Sequence, residues 1–466
     1  MFATATENLV EEVDHDGFLI PVSSLNDSVP LLSLVVKRKR FWFWQKPKYI
    51  PTDFSINDVL TGDTPIQPAV IEADFIKYDG TFGGNIHGNV EATFVHSDLN
   101  VEGKDTSKLR STFGSLKKEE VDVQKLLRDS KNRILDMSHS LIQQTKVDHR
   151  QVFGVVKERI VTTQPCSVIE EVQESGQLGG LLSFCAPKAP KVTLKENGSL
   201  SKDSNITMEI PPHTAVAYGL IELEVKLSGH FELCLMSNTD GSFEVDGLAK
   251  KELVGVSGPR KVNNSLLKQE LQKLSGHFQL LSALTASTCS SLLQSITVAM
   301  EDQDALAQME TVLGQMCLGE RPQLDDVQTA ATRQNITAVL DLLTQTPTDQ
   351  PVSALSAVHL VVSALDEMTD DCHAVLGTCC SPAVLQALEL LVQCATGNEG
   401  LSLSSPGLAP LTGDVYTKAE RLFRCCNVSL ERDGDTLTTE IHHRPGHRPL
   451  VLCIAIRGLA SLARSV

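Results

Sequence analysis

Several marks by which a sequence declares its chemistry are missing from this one. None of its 12 cysteines falls in a CxxC pair, which excludes the usual zinc-ribbon and thioredoxin-like arrangements. There is no GxSxG and no HExxH, and Gly83 and Gly88 have P-loop spacing without the Lys-Ser/Thr that must follow. Nothing converges on a catalytic triad, so the chain reads as a non-enzyme that needs neither cofactor nor metal. Long apolar runs are lacking too: Leu31 to Val36 and Leu450 to Ile456 fall far short of a spanning helix. The first residues carry Glu7, Glu11, Glu12, Asp14 and Asp16, where a signal peptide would be basic. A cytosolic protein with reduced thiols is expected. Positive charge is short as well: a net charge of −17 argues against a general nucleic-acid binder.

What remains is ordinary globular material, 41% apolar and 21% charged, in a 466-residue chain long enough for two or three domains. Of its 21 aromatic residues, 18 precede Asp246, whereas nine of the 12 cysteines follow it. Periodicity divides at the same place. From Ile221 to Leu235 apolar residues alternate with Glu222, Glu224, Lys226, Ser228, His230 and Glu232, which is strand spacing with Gly229 at a bulge or turn. Asn89–Glu102 and Gln151–Thr163 are read as alternating likewise. Two helices interrupt this half, one with Phe2, Leu9, Val10 and Val13 on a face, the other with Val123, Leu126, Leu127 and Ile134. An α+β domain over residues 1–235, a twisted antiparallel sheet with helices, is predicted.

The second half reads as helix after helix, for example Leu266-Leu267-Leu271-Leu274-Phe278-Leu281 and Val358-Val361-Val362-Leu365-Met368. Ser381-Pro382 supplies an N-cap and a first-turn proline, and Gly397 suits a C-terminal stop. An all-α domain over residues 264–466 follows. Residues 236–263 between them, rich in Gly, Ser, Asn and charge, are a surface linker. Cys379–Cys380 and Cys425–Cys426 read as buried thiols, with acylation the alternative for the first pair. His442, His443 and His447 lack cysteine partners and helical order, so a solvated loop is expected there.

One segment of the first half is chemically distinctive. Lys37, Arg38, Lys39 and Arg40 are followed by Phe41, Trp42, Phe43 and Trp44, then by Lys46 and Lys48. Basic residues attract anionic headgroups at about 1 kcal/mol each, and Trp and Phe partition to the interface. A solvated strand end with its aromatics in the core is equally compatible, and the chemistry alone leaves both open. In the linker, Phe243-Glu244-Val245-Asp246-Gly247 is a candidate protease site, because caspases require Asp before the cut and favour a small residue after it. Asp240 is a secondary candidate.

Met1-Phe-Ala-Thr-Ala-Thr-Glu-Asn, Ser24-Leu-Asn-Asp-Ser and Lys39 through Tyr49 resemble the N-terminus of the gasdermin family, its E branch in particular. So do Asp74-Phe-Ile-Lys-Tyr and Ala217-Tyr-Gly-Leu-Ile-Glu-Leu. Leu360-Val-Val-Ser-Ala-Leu-Asp-Glu-Met, Leu376-Gly-Thr-Cys-Cys and Leu430-Glu-Arg resemble that family's C-terminal domain. The resemblance implies an N-terminal pore-forming domain restrained by an autoinhibitory C-terminal one. Cleavage by an executioner or inflammatory caspase frees the first. It then binds acidic phospholipids of the inner leaflet, self-assembles and inserts as a β-barrel in the plasma membrane, a lytic (pyroptotic) death. Lys37 to Arg40, Phe41 to Trp44, Lys46 and Lys48 are then expected lipid contacts. For the inserting strands the resemblance points to Asn89–Glu102, Gln151–Thr163 and the stretch after Cys166. The first helix departs from the pattern: relatives often carry Lys or Arg there, and this chain has Thr4, Glu7 and Glu11. A non-lytic lipid-binding or scaffold protein using the same loop is the alternative.

Overall fold

A computed structural model describes the chain except residues 15–16, 63, 86–105, 148–149, 175–201, 237–240, 245–263, 323, 325–326, 328, 345–352, 398–399, 442–446 and 465–466. Its contacts separate two units. The first comprises Met1–Lys37, Tyr49–Lys146 and Val152–Asp246; the second comprises Arg38–Lys48, Val147–Gln151 and Gly247–Val466. Two short pieces of the front half therefore belong to the helical unit.

The first unit opens with α1 (Phe2–Val13), whose Phe2, Ala5, Leu9 and Val10 are buried at helical spacing. Thr6 on the same face is buried too, and its hydroxyl donates to the Val22 carbonyl at 2.8 Å, so no polar atom is stranded. An 11-stranded sheet follows. Its strands are β1 (Leu19–Pro21), β2 (Ser33–Arg38), β3 (Lys48–Ser55), β4 (Val70–Asn85) and β5 (Thr106–Val121). After α2 (Val123–Ser130) and α3 (Ser140–Val147) come β6 (Gln151–Thr162), β7 (Cys166–Glu174), β8 (Lys202–Ile210), β9 (Ala215–Val225), β10 (Phe231–Cys234) and β11 (Ser242–Phe243). The main path runs β1-β9-β6-β5-β7-β8, with β2 beside β6, β4 beside β5, and β10 and β11 beside β9. Strands β4 and β5 pair antiparallel from Val70 opposite Val121 to Asn85 opposite Thr106.

Local chemistry explains where three expectations change. Ile134 does not continue the second helix: α2 ends at Ser130, Asn132 takes a left-handed φ of 65°, and Ile134 bridges to His230 instead. Asn is one of the few side chains that adopts this conformation cheaply. The stretch Gln151–Thr163 does form a strand, but β6 is buried at nearly every position rather than at alternate ones. It is a central strand between β5 and β9, and burial at successive positions shows that both its faces are covered. Finally, β11 shows that the expected linker contains ordered strand, paired parallel to β9. Ile221–Leu235 is the hairpin β9–β10, turning at Gly229 with φ 81°. A Cβ at Gly229 would lie 2.7 Å from the Leu135 carbonyl oxygen, so both conformation and space select glycine. Asn89–Glu102 lies outside the described residues.

The second unit carries α4 (Asn264–Lys273), α5 (Ser275–Ala283), α6 (Ala286–Ala299), α7 (Gln303–Cys317), α8 (Ala330–Thr344), α9 (Ala354–Asp366), α10 (Asp370–Thr378) and α11 (Pro382–Gly397). Then follow β12 (Leu401–Ser402), α12 (Asp414–Cys425), β13 (Val428–Asp433), β14 (Thr436–Ile441) and α13 (Arg448–Ala463). Helices α9 and α13 are buried around nearly their whole circumference. They approach where Gly458 meets Val361, so closely that an added Cβ would lie 2.2 Å from Val361 Cγ2. Side chains of Thr285, Asp302 and Ser353 cap α6, α7 and α9. The helical fold class stands, with a small sheet β12-β14-β13 added to it.

Candidate functional site: a basic-aromatic loop held by a buried carboxylate

The segment Arg38–Lys48 is shaped by its own polar groups. Gln45 Oε1 accepts the backbone N–H groups of Phe41 and Trp42 at 2.8 and 2.9 Å, and Gln45 N–H donates to the Trp42 carbonyl at 3.1 Å. The Arg40 guanidinium donates to the Phe43 carbonyl at 3.2 Å. This tight loop projects the aromatic rings. Trp42 and Trp44 stack at 5.1 Å with an 8° tilt, and Trp44, 3% exposed, joins the apolar core that the helices share. Three histidines meet the rings edge-on or nearly so. His359 lies 4.6 Å from Phe41, His277 5.8 Å from Trp42, and His447 5.4 Å from Phe43.

The charged groups converge on Glu310 of α7, which is 0% exposed. Its carboxylate pairs with Arg38 and with Arg150 at 3.3 Å. It also accepts from Gln45 Nε2 at 3.1 Å and lies 3.2 Å from His359 Nε2. Burial alone would raise the Glu310 pKa; Arg38, the hydrogen bond from His359, and Arg150 outweigh it and hold the carboxyl well below the usual range. Arg38 also donates to Thr311. Backbone ties the two pieces together, Lys39 N–H donating to the Arg150 carbonyl at 2.7 Å. At the far end Lys48 pairs with Asp366, and Lys46 N–H donates to Glu367 Oε1 at 3.1 Å. Burial pushes the Glu367 carboxyl up to about 7, with Lys46 N–H opposing and Asp366 adding.

Of the predicted residues, the structure thus brings together Arg38, Arg40, Phe41, Trp42, Phe43, Trp44, Lys46 and Lys48 in the helical unit, with half-buried Lys39 among them. Lys37 falls in the first unit, paired with Glu222. Phe243 and Glu244 are placed by β11: the Phe243 ring lies 5.4 Å from Phe153, and Glu244 N–H donates to the Val225 carbonyl at 2.8 Å. Val245, Asp246, Gly247 and Asp240 lie outside the described residues. Sequence reasoning did not find Glu310, Arg150, Gln45 or His359. One signal was available, since Glu310 interrupts the buried stripe Leu306, Met309, Leu313 on α7. Among the described residues no group of three or more His, Cys, Asp or Glu could hold a metal ion.

A sheet-rich front unit and a helical rear unit that holds a basic-aromatic segment make a two-part protein, and sequence comparison gives its class. Residues 1–245 match the family model described as the Gasdermin pore forming domain, and residues 263–436 match the Gasdermin PUB domain. The chain belongs to the gasdermin family. It is 33% identical to Gasdermin-E of Equus caballus over 100% of both chains. With Gasdermin-E of Mus musculus it shares 33% over 100% of this chain and 97% of that one. Pejvakin of Homo sapiens matches at 33% over 52% of this chain and 67% of its own. The cryo-EM structure of the Gasdermin A3 membrane pore covers 52% of this chain and 97% of that chain at 20% identity, with a TM-score of 0.34. The family assignment rests on the sequence matches.

Proposed function

We propose that this chain is a latent pore former whose lipid-contact loop is masked by the helical unit until the linker is cut. The observation that carries the reading is the packing of Trp42, Phe43 and the buried Trp44 against the apolar core of the helices, with Arg38 neutralised by Glu310. The Trp44 ring and the Arg38 charge, both suited to a membrane interface, are thereby covered. Cleavage after Asp246 by a caspase-type protease is the proposed trigger, supported by the Glu-Val-Asp-Gly pattern. The freed fragment, residues 1–246, then binds acidic phospholipids of the inner leaflet through Lys37 to Trp44, Lys46 and Lys48, oligomerises and lyses the cell from the cytosolic side.

The spanning element is a β-barrel in this reading. A bilayer admits only helices or closed barrels, and among the described residues no helix is long and apolar enough to cross one. Strands β4 and β5, 16 residues each, exceed the roughly 9–11 residues a tilted spanning strand needs.

Cutting works through effective concentration. While the chain is whole, loop and helical pocket face each other at roughly millimolar effective concentration; after the cut a micromolar affinity no longer holds against competing membrane. Expression of residues 1–246 and 247–466, separately and together, tests this. The first is expected to kill cells and the second to silence it; harmless expression of residues 1–246 alone would overturn the reading.

A further inference from the structure

The Glu310 site contains a titratable group that masking alone leaves idle. His359 is 0% exposed, and its Nε2 lies 3.2 Å from Glu310 Oε1. A carboxylate only accepts, so Nε2 carries the proton of a neutral ring. Nδ1 then holds the lone pair, and among the described residues it has no hydrogen-bond partner. A second proton there would meet no acceptor. It would also add a third positive charge beside Arg38 and Arg150. Burial, joined by those two guanidiniums, keeps the imidazole pKa below its ordinary value despite the pull of Glu310.

Removing the loop reverses these terms. Glu310 loses Arg38 and the Gln45 amide. Arg150 loses the Lys39 N–H that ties its backbone and the Phe41 ring 6.0 Å beneath its guanidinium. Phe41 and Trp42 leave the imidazole, admitting water. A carboxylate deprived of buried counter-charge strongly favours a replacement, and His359 is already hydrogen-bonded to it.

We propose that release of the basic-aromatic loop is coupled to uptake of a proton by His359, so that mild acidification unlatches the loop without a cut. The inference rests on the masking reading and adds a regulator to it. The docked form binds fewer protons at His359. Docking is therefore fully favoured above the released-state pKa, about 6.5 or higher, and weakens as pH falls toward the docked value. Within that window the released-to-docked ratio changes by up to about tenfold per pH unit.

Other groups facing the loop set the background. His277 and His447 are also held below their ordinary pKa, chiefly by burial and, for His447, by Arg40, with Glu270 opposing; they act in the same direction. Glu367 acts oppositely, since its raised pKa gives docking a contribution present in acid and lost as pH rises through about 7. Asp366 is paired with Lys48. Cys317, beside Arg150 and Glu310, stays a thiol because burial pushes it to about 12.

Both tryptophans of the chain lie in the loop, so intrinsic emission reports its burial. The uncut full chain carrying Glu367→Gln is titrated from about pH 7.5 to about pH 5.5, without vesicles for emission and, separately, with dye-loaded phosphatidylserine vesicles for release. Emission is expected to shift red as pH falls. His359→Gln, which keeps an N–H for Glu310 but takes no proton, is expected to flatten the shift; His359→Asn serves as the second variant. Emission that is constant in the parent, or that titrates alike in parent and variants, overturns the proposal. A His359-dependent shift without dye release supports proton coupling and instead contradicts the loop as the lipid-contact segment.

Discussion

Glu310 shows how much a single buried carboxylate can control. Two guanidiniums, an amide and an imidazole converge on it. An assembled buried ion pair is weak evidence for stability, yet deleting one partner leaves uncompensated charge behind, at a cost of about 3–5 kcal/mol. Glu310→Ala should therefore eject Arg38 and its loop, lower the melting temperature and let the uncut chain release dye from acidic vesicles. An intact variant that melts normally and leaves vesicles sealed would remove Glu310 from the account. Composition made Lys37–Trp44 legible, because six positive charges and four aromatic rings fall within a dozen residues from Lys37 to Lys48. Its partners were not legible. Arg150, Glu310 and His359 are separated by 160 and 49 positions, and each has only single-residue meaning until the fold places it.

At the scale of elements, helices were read best where caps and apolar stripes agree. Pro382 opens α11, and the Ser381 backbone carbonyl accepts the Leu385 N–H at 2.9 Å as the first bond of the helix. Leu267, Leu271, Phe278 and Leu281 are all buried as spaced, although Leu274 separates two helices rather than lying within one. Alternation holds where one face meets solvent, as in the β9–β10 hairpin; β6 is a strand as expected, but both its faces are covered and the expected alternation is absent. The short strands β12–β14 left no helical or alternating signature long enough to detect. Close packing of α9 on α13 yields a direct prediction. Gly458→Ala places a methyl 2.2 Å from Val361 Cγ2, an overpacking that typically costs about 1–3 kcal/mol. The melting temperature of the full chain should fall. Gly458→Ala with Val361→Ala should recover part of that loss; an unchanged transition in the single variant would contradict so close an approach.

For the whole molecule, the division into units matters more than any single fold. The helical unit contains Arg38–Lys48 and Val147–Gln151, pieces that no boundary drawn along the sequence would assign to it. The masking reading turns this division into a switch, with the bond after Asp246 as its trigger. The decisive measurement is dye release from phosphatidylserine vesicles by the purified chain, before and after caspase treatment, beside Asp246→Ala. The account predicts sealed vesicles with the uncut chain, rapid release after cutting, and no release from the treated variant. Equal release by cut and uncut protein, or none from the cut protein, would contradict it.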